Sequence, residues 1–231
     1  MLIHKVSFSQ DFNKFTSSIS AISLESKMFK ISFFKRSKRW KYFYGMSMDG
    51  ADAMKCIACF YQFKSKNNPN YYVRFRNLCG HSPTNPVFLL FDNETESKRP
   101  LGKFISDNSI KGDDKEFLKH HLCLRFIANS NLFLATNPLI DGSGECEIED
   151  LFLPEVLERR INGKSFSRED DYDTSTYYGK DIFSKYVTEN YAKIDFCRFR
   201  PLLDSLSRTI EEYELEKKNE KEILTSESQM A

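Results

Sequence analysis

The segment 86–94, PVFLLFDNE, constrains the fold more than any other part of the chain. Residues 87 to 91 are all apolar, so a strand built from them must be covered on both faces. Such strands belong to parallel sheets flanked by helices, and those sheets bind ligands at the carboxyl ends of their strands. Here that end reads Asp92, Asn93, Glu94. A second short apolar run, NLFLATN over 131–137, predicts a neighbouring strand, so 86–92 is expected to lie buried and central with 131–136 beside it.

The remaining segments fit around this pair. MFKISFF (28–34) and WKYFYGM (40–46) read as strands on either side of the basic turn FKRSKRWK, and Asp49-Gly50 breaks the second. ADAMKCIACFYQF (51–63) has apolar residues at 54, 57, 58, 60 and 61, a helical spacing. YYVRFRNL (71–78) reads as a strand or an extended arm, and 114–127 as a helix. Residues 145–161 start acidic and turn helical, with Pro154 at a helix start. Residues 177–191 and 199–218 are amphipathic helices, and 217–231 is polar and expected to fray.

The formal net charge of +1 hides an asymmetry. Residues 1–80 hold 14 Lys/Arg against 4 Asp/Glu, a net of +10; residues 81–231 hold 20 against 29, a net of −9. A basic part beside an acidic part suits a protein that attracts phosphate with one and holds cations with the other, although two solvated surfaces also explain it. With 40% hydrophobic and 29% charged residues the chain excludes collagen-like and wholly disordered classes. No apolar run approaches the roughly 20 residues of a membrane span, and MLIHKVSFSQDF has no signal-peptide block, so no membrane and a cytoplasmic location are expected. The 21 Phe and 11 Tyr predict an aromatic core, and the six Cys are expected to be reduced thiols, several of them buried.

Four groups of residues can carry chemistry. Asp92 and Glu94, two apart on a strand, share a side and can share a Mg²⁺, with Glu96 extending the cluster; a plain strand-to-loop turn accounts for the same residues. Glu145, Glu147, Glu149 and Asp150 suit a helix N-terminus, or the other half of a divalent-metal site. Lys180 is either solvated or placed to stabilise a charged phosphate. Cys56-x2-Cys59 with Cys79 and His81 superficially resembles a zinc quartet, but the first pair falls inside a helical pattern and the second lacks the usual spacing. His120 and His121 would point about 100° apart on a helix and do not suit a shared metal. The run Asp170 to Asp173 lies in a polar loop, and no phosphate-binding glycine loop, HExxH or GxSxG is present.

In order, VFLLFDNE, NLFLATNP, EIEDLFLP, YYGKDIFSKYV and IDFCRFRPLL resemble the C-terminal TOPRIM domain of certain retron reverse transcriptases. That domain is similar to the TOPRIM nucleases of the overcoming-lysogenisation-defect family. The upstream stretch FKISFFKRSKRWKYFYGMSMDGADAMKCIACFY fits the same pattern, so the resemblance covers roughly residues 28–210. It implies an α/β fold with a mostly parallel central sheet and helices on both faces. The expected division is a TOPRIM-like domain over 1–155, a helical C-terminal extension over 156–216 and a tail over 217–231.

The resemblance also implies phosphodiester hydrolysis with Mg²⁺ or Mn²⁺. Asp92 and Glu94 match the family's Asp-x-Asp, with Glu in second place. The nuclease branch's acidic pair falls on Glu149 and Asp150, and its lysine on Lys180. The family's first strand, which carries a Glu, would precede residue 1, and MLIHKVSFSQDF looks like the helix after it. The chain is therefore expected to begin one element late, without the polymerase domain, and to cleave poorly.

The implied partners are nucleic acid, DNA or RNA, and a retron reverse transcriptase with its reverse-transcribed DNA, within antiphage defence. Lys35, Arg36, Lys38, Arg39, Arg74 and Arg76 are expected to track the nucleic-acid backbone, with Trp40 and Tyr72 stacking bases. The other reading is a non-catalytic nucleic-acid-binding or assembly module.

Overall fold

The computed structural model describes residues 2–4, 32–33, 50–62, 70–96, 98–140 and 142–230. The strand expected over 40–46, the 34–41 turn, Trp40, and Lys35, Arg36, Lys38 and Arg39 lie outside the described residues. The described residues fall into two compact units. Among the described residues, the first draws on those within 2–4, 32–146 and 201–230, and the second on those within 147–200.

In the first unit a five-stranded sheet is formed by β1 (Leu2–His4), β2 (Ser32–Phe33), β3 (Val87–Phe91), β4 (Cys123–Arg125) and β5 (Leu132–Thr136), in the order β2-β1-β3-β5-β4. β3 and β5 pair in parallel at its centre, from Val87 opposite Leu132 to Phe91 opposite Thr136. The outer pairings, β1 with β2, β1 with β3 and β4 with β5, are antiparallel. β4 reaches β5 through a short turn, and a connection that short joins only antiparallel neighbours. Leu2–His4, expected to be helical, is a strand.

All five residues of β3, and all five of β5, are buried, as their apolar runs require. Val87, Leu89, Phe91, Leu132 and Leu134 join a core closed by four helices: α1 (Gly50–Tyr61), α2 (Tyr71–Cys79), which contributes Tyr72, α3 (Pro100–Asp107) and α4 (Gly112–His121). Met54, Ile57, Ala58 and Tyr61 come from α1, at the spacing the sequence shows. Phe88 and Phe133 alternate to the other face, where Phe133 meets Tyr213 edge-on at 6.1 Å. That face is covered by α7 (Arg200–Met230), which buries Leu202, Leu206, Ile210 and Tyr213, three to four residues apart. Arg125 fixes the helix to the sheet edge. Its guanidinium pairs with Glu216 at 2.5 Å, bonds the Ser130 carbonyl at 2.7 Å, and lies over the Phe133 and Tyr213 rings. α7 runs on to Met230, through the stretch expected to fray, and Lys217 bonds Glu220 within it.

Two further segments of the first unit differ from expectation. Residues 71–78 belong to a helix, α2 (Tyr71–Cys79). The Asn70 side chain caps it by accepting from the Val73 N–H at 3.1 Å, and Gly80 ends it in the left-handed conformation, φ 71°. The helix expected over 114–127 stops at His121, because Leu122 turns left-handed (φ 66°) and Cys123–Arg125 joins the sheet.

The second unit is small and aromatic. It holds a 3-10 turn at Ile148–Leu151, a short helix α5 (Pro154–Leu157), the paired strands β6 (Ser165–Phe166) and β7 (Tyr177–Tyr178), and α6 (Lys180–Asn190). Pro154 does open a helix, but only a four-residue one; the chain then reverses through Asn162 and Gly163, both at positive φ. Phe152 sits at the centre, touching the rings of Phe183, Phe196 and Phe199 at 5.1–5.9 Å. Phe166 stacks on Phe183 at 4.5 Å. Five of the 21 phenylalanines lie in this segment. All six cysteines are free, with Cys123 and Cys146 buried.

Candidate functional site

The acidic end of β3 is shaped by buried asparagines. Asn93 is fully buried. Its backbone exchanges two hydrogen bonds with Cys146, donating at 2.8 Å and accepting at 3.1 Å. Its side-chain amide donates to the carbonyls of Lys119 (3.1 Å) and Asn137 (2.8 Å). Because β5 lies parallel to β3, Asn137 follows its strand at the same level as Asp92, and its Nδ2 donates to Asp92 Oδ1 at 2.8 Å. Asp92 is thus exposed yet held in one orientation.

Glu94 is only 6% exposed and meets Arg99 Nε at 3.2 Å. Glu96 donates its N–H to the Glu145 carboxylate at 3.0 Å. The loop between them is pinned by Gly102, where an added Cβ would lie 1.8 Å from the Glu96 carbonyl oxygen. The Oδ1 atoms of Asn93 and Asn137 are buried without a hydrogen-bond partner.

In the second unit Glu147 caps the 3-10 turn, and Asp150 returns the favour by accepting the Glu147 N–H at 2.8 Å. The acidic cluster is therefore a helical N-terminus, as one reading of the sequence holds. Lys180 Nζ lies 3.1 Å from Glu149 Oε1 and 3.6 Å from Glu147 Oε2, while Arg168 pairs with Asp150 Oδ1 at 2.6 Å. Burial works against the Arg168 charge, but the Asp150 bond and the nearby Glu147 and Glu149 carboxylates outweigh it and raise the guanidinium pKa. Lys180 is set in place by Gly179, where an added Cβ would meet the Tyr172 ring at 2.5–2.9 Å. The structure therefore brings Glu149 and Lys180 together, and Asp150 with Arg168.

Arg74 and Arg76 are exposed on α2, but Tyr72, expected to stack bases, is buried at 7% and hydrogen-bonds Ser82 at 3.0 Å. The helix turns it inward and presents Tyr71 instead. Among the described residues no group of three or more His, Cys, Asp or Glu side chains is gathered to hold a metal ion, which includes Cys56, Cys59, Cys79 and His81. His121 stacks on Phe117 at 4.3 Å, and His120 faces Glu116 at 3.6 Å. Asp173 accepts from Ser175 and Thr176, bonds that hold its pKa below the usual carboxylate value and close the acidic loop. Among the described residues no helix is long and apolar enough to cross a membrane.

Asn137 and Asn93 are the residues that sequence reasoning did not single out as orienting groups. Their positions just past two apolar runs were the available signal. No family model matches the chain, and no solved structure matches it either.

Proposed function

We propose that this chain is a TOPRIM-like protein that hydrolyses phosphodiester bonds in nucleic acid with Mg²⁺ or Mn²⁺, as part of a retron-type antiphage system. The observation that carries the reading is the exposed Asp92 carboxylate at the end of the central parallel strand, oriented by the buried Asn137 amide. When bound, a divalent ion supplies an activated water and neutralises charge on the phosphate. Asp92 and Glu94 are the metal-binding acids assigned in the first unit, and Glu149 and Asp150 those assigned in the second. Lys180 is assigned to the charged phosphate, which requires it to exchange its Glu149 contact for a phosphate oxygen. Arg74 and Arg76 hold the backbone of the bound strand.

One observation favours a second reading. Glu94, Glu149 and Asp150 each have a cation from their own unit: Arg99, Lys180 and Arg168. Internally compensated acids suit a nucleic-acid-binding or assembly module that does no hydrolysis, working with a reverse transcriptase and its DNA. The two readings part in one assay. Labelled single- and double-stranded DNA and RNA are incubated with Mg²⁺ or Mn²⁺ and the chain, beside Asp92→Asn and Glu149→Gln. Metal-dependent cleavage lost in both variants, with folding intact, establishes the hydrolase. Binding without cleavage establishes the module, and neither binding nor cleavage removes both.

A further inference from the structure

Helix α2 carries a surface that neither acidic cluster uses. Tyr71 is 49% exposed and Leu78 85%. Residues 71, 74, 75 and 78 recur three and four apart, so Tyr71, Arg74, Phe75 and Leu78 share one side of the helix. The rings form a row. Buried Tyr61 lies 5.8 Å from Tyr71, Tyr71 lies 6.5 Å from Phe75, and Phe75 meets His81 edge-on at 5.7 Å. Tyr61 thus anchors the row at one end while Tyr71 opens to solvent.

The charge beside this row has one sign. Arg74 and Arg76 are exposed, and among the described residues neither is ion-paired, in contrast to Arg99, Arg168 and Lys180. No Asp or Glu occurs in the sequence between Asp52 and Asp92. An apolar face meant for another protein's apolar face gains nothing from a guanidinium group, that of Arg74, at its centre. A polyanion with flat apolar faces gains from both. Single-stranded nucleic acid has that chemistry: its bases stack on aromatic rings and its phosphates meet arginine. A duplex offers the phosphates but keeps its base faces covered, so it can use only half of the surface.

We propose that α2 is a platform for single-stranded nucleic acid, with bases stacked on Tyr71 and Phe75 and a phosphate held by Arg74. This rests on the nucleic-acid reading above and narrows it to the unpaired strand.

The test uses the whole chain in EDTA, so that no cleavage intervenes. Labelled single-stranded DNA and RNA of about 20 nucleotides, longer than the 4–16 of a typical single-strand site, are titrated beside the duplex of the same sequence. Tyr71→Ala is expected to weaken single-strand binding about 5- to 100-fold, the usual loss for one stacked base, and to leave duplex binding unchanged. Tyr71→Leu, which keeps an apolar side chain but not the ring, should lose as much, and Tyr71→Trp should bind at least as well as the parent. Arg74→Gln should lower the slope of log affinity against log salt by about 0.7, the value for one phosphate contact on a single strand. Thermal melting followed by circular dichroism confirms that each variant is folded.

Unchanged single-strand affinity in Tyr71→Ala and Tyr71→Leu overturns the platform but leaves the hydrolase reading intact, because nucleic acid then binds elsewhere. No binding to any strand at low salt overturns both. A change of oligomeric state in Tyr71→Ala, with nucleic-acid affinity constant, shows that a second copy of the chain covers this face and overturns the platform.

Discussion

Asp92 and Glu149 are both carboxylates at functional-looking positions, yet the chain holds them differently. Asp92 takes its orienting hydrogen bond from a neutral amide, Asn137, itself in a network of buried amides and carbonyls. Glu149 takes the ammonium of Lys180, and its neighbour Asp150 takes the guanidinium of Arg168. A neutral donor fixes direction and leaves the negative charge in place. A cation fixes direction and cancels it. In the second arrangement an external cation must first displace an internal one. The contrast is one of charge: Glu149 and Asp150 are ion-paired within their own unit, and Asp92 is oriented by an amide.

The contrast can be broken at its strongest point by Gly102→Ala. The new methyl collides with the Glu96 carbonyl, and since that atom is backbone, the helix start or the loop must move. A loss of about 3 kcal/mol or more is expected in urea unfolding; an unchanged midpoint would show that the loop is not pinned there. Asn93→Ala comes next. It leaves two carbonyls without their donor inside the protein, a cost of about 2–3 kcal/mol, and it should also abolish any Mg²⁺-dependent rise in melting temperature if Asp92 binds metal.

Lys180→Met sharpens the other side. Glu149 is nearly buried, but Lys180 is half exposed, so the loss should be about 1 kcal/mol. Adding Glu149→Gln should recover most of it in a double-mutant cycle. The smallest effect is expected from Arg168→Gln, about 0.5 kcal/mol and shrinking with added salt, because both partners are about a third exposed. If Arg168→Gln costs more than Asn93→Ala, the roles assigned to the two regions are reversed.

What could be read in advance divides along physical lines. The two central strands were legible because continuous apolar runs can be buried only on both faces, and 87–91 and 132–136 are such runs. Helix α1 was legible from its apolar spacing. Helix α2 was not, because YYVRFRNL alternates ring and arginine like a strand, and the signals that decide it, Asn70 and Gly80, lie outside the run. The stop at Leu122 was hidden since leucine is no usual left-handed residue. Within the acidic groups the residue types were legible, but not their partners. That Asp92 would meet an amide and Glu149 an ammonium depends on which strand ends and loops come together, and sequence spacing does not carry that.

The first unit is also discontinuous: residues 147–200 are inserted between its sheet and the helix that covers the face of Phe88 and Phe133. This sets an order of events during synthesis. The strands emerge from the ribosome first, with one apolar face bare, while the inserted unit is still being made. At about 5–20 residues per second, the sheet waits several seconds before Leu202, Leu206, Ile210 and Tyr213 exist to cover it. The nascent chain is therefore most exposed to aggregation and to chaperones in that interval, and slowing translation within 147–200 lengthens it.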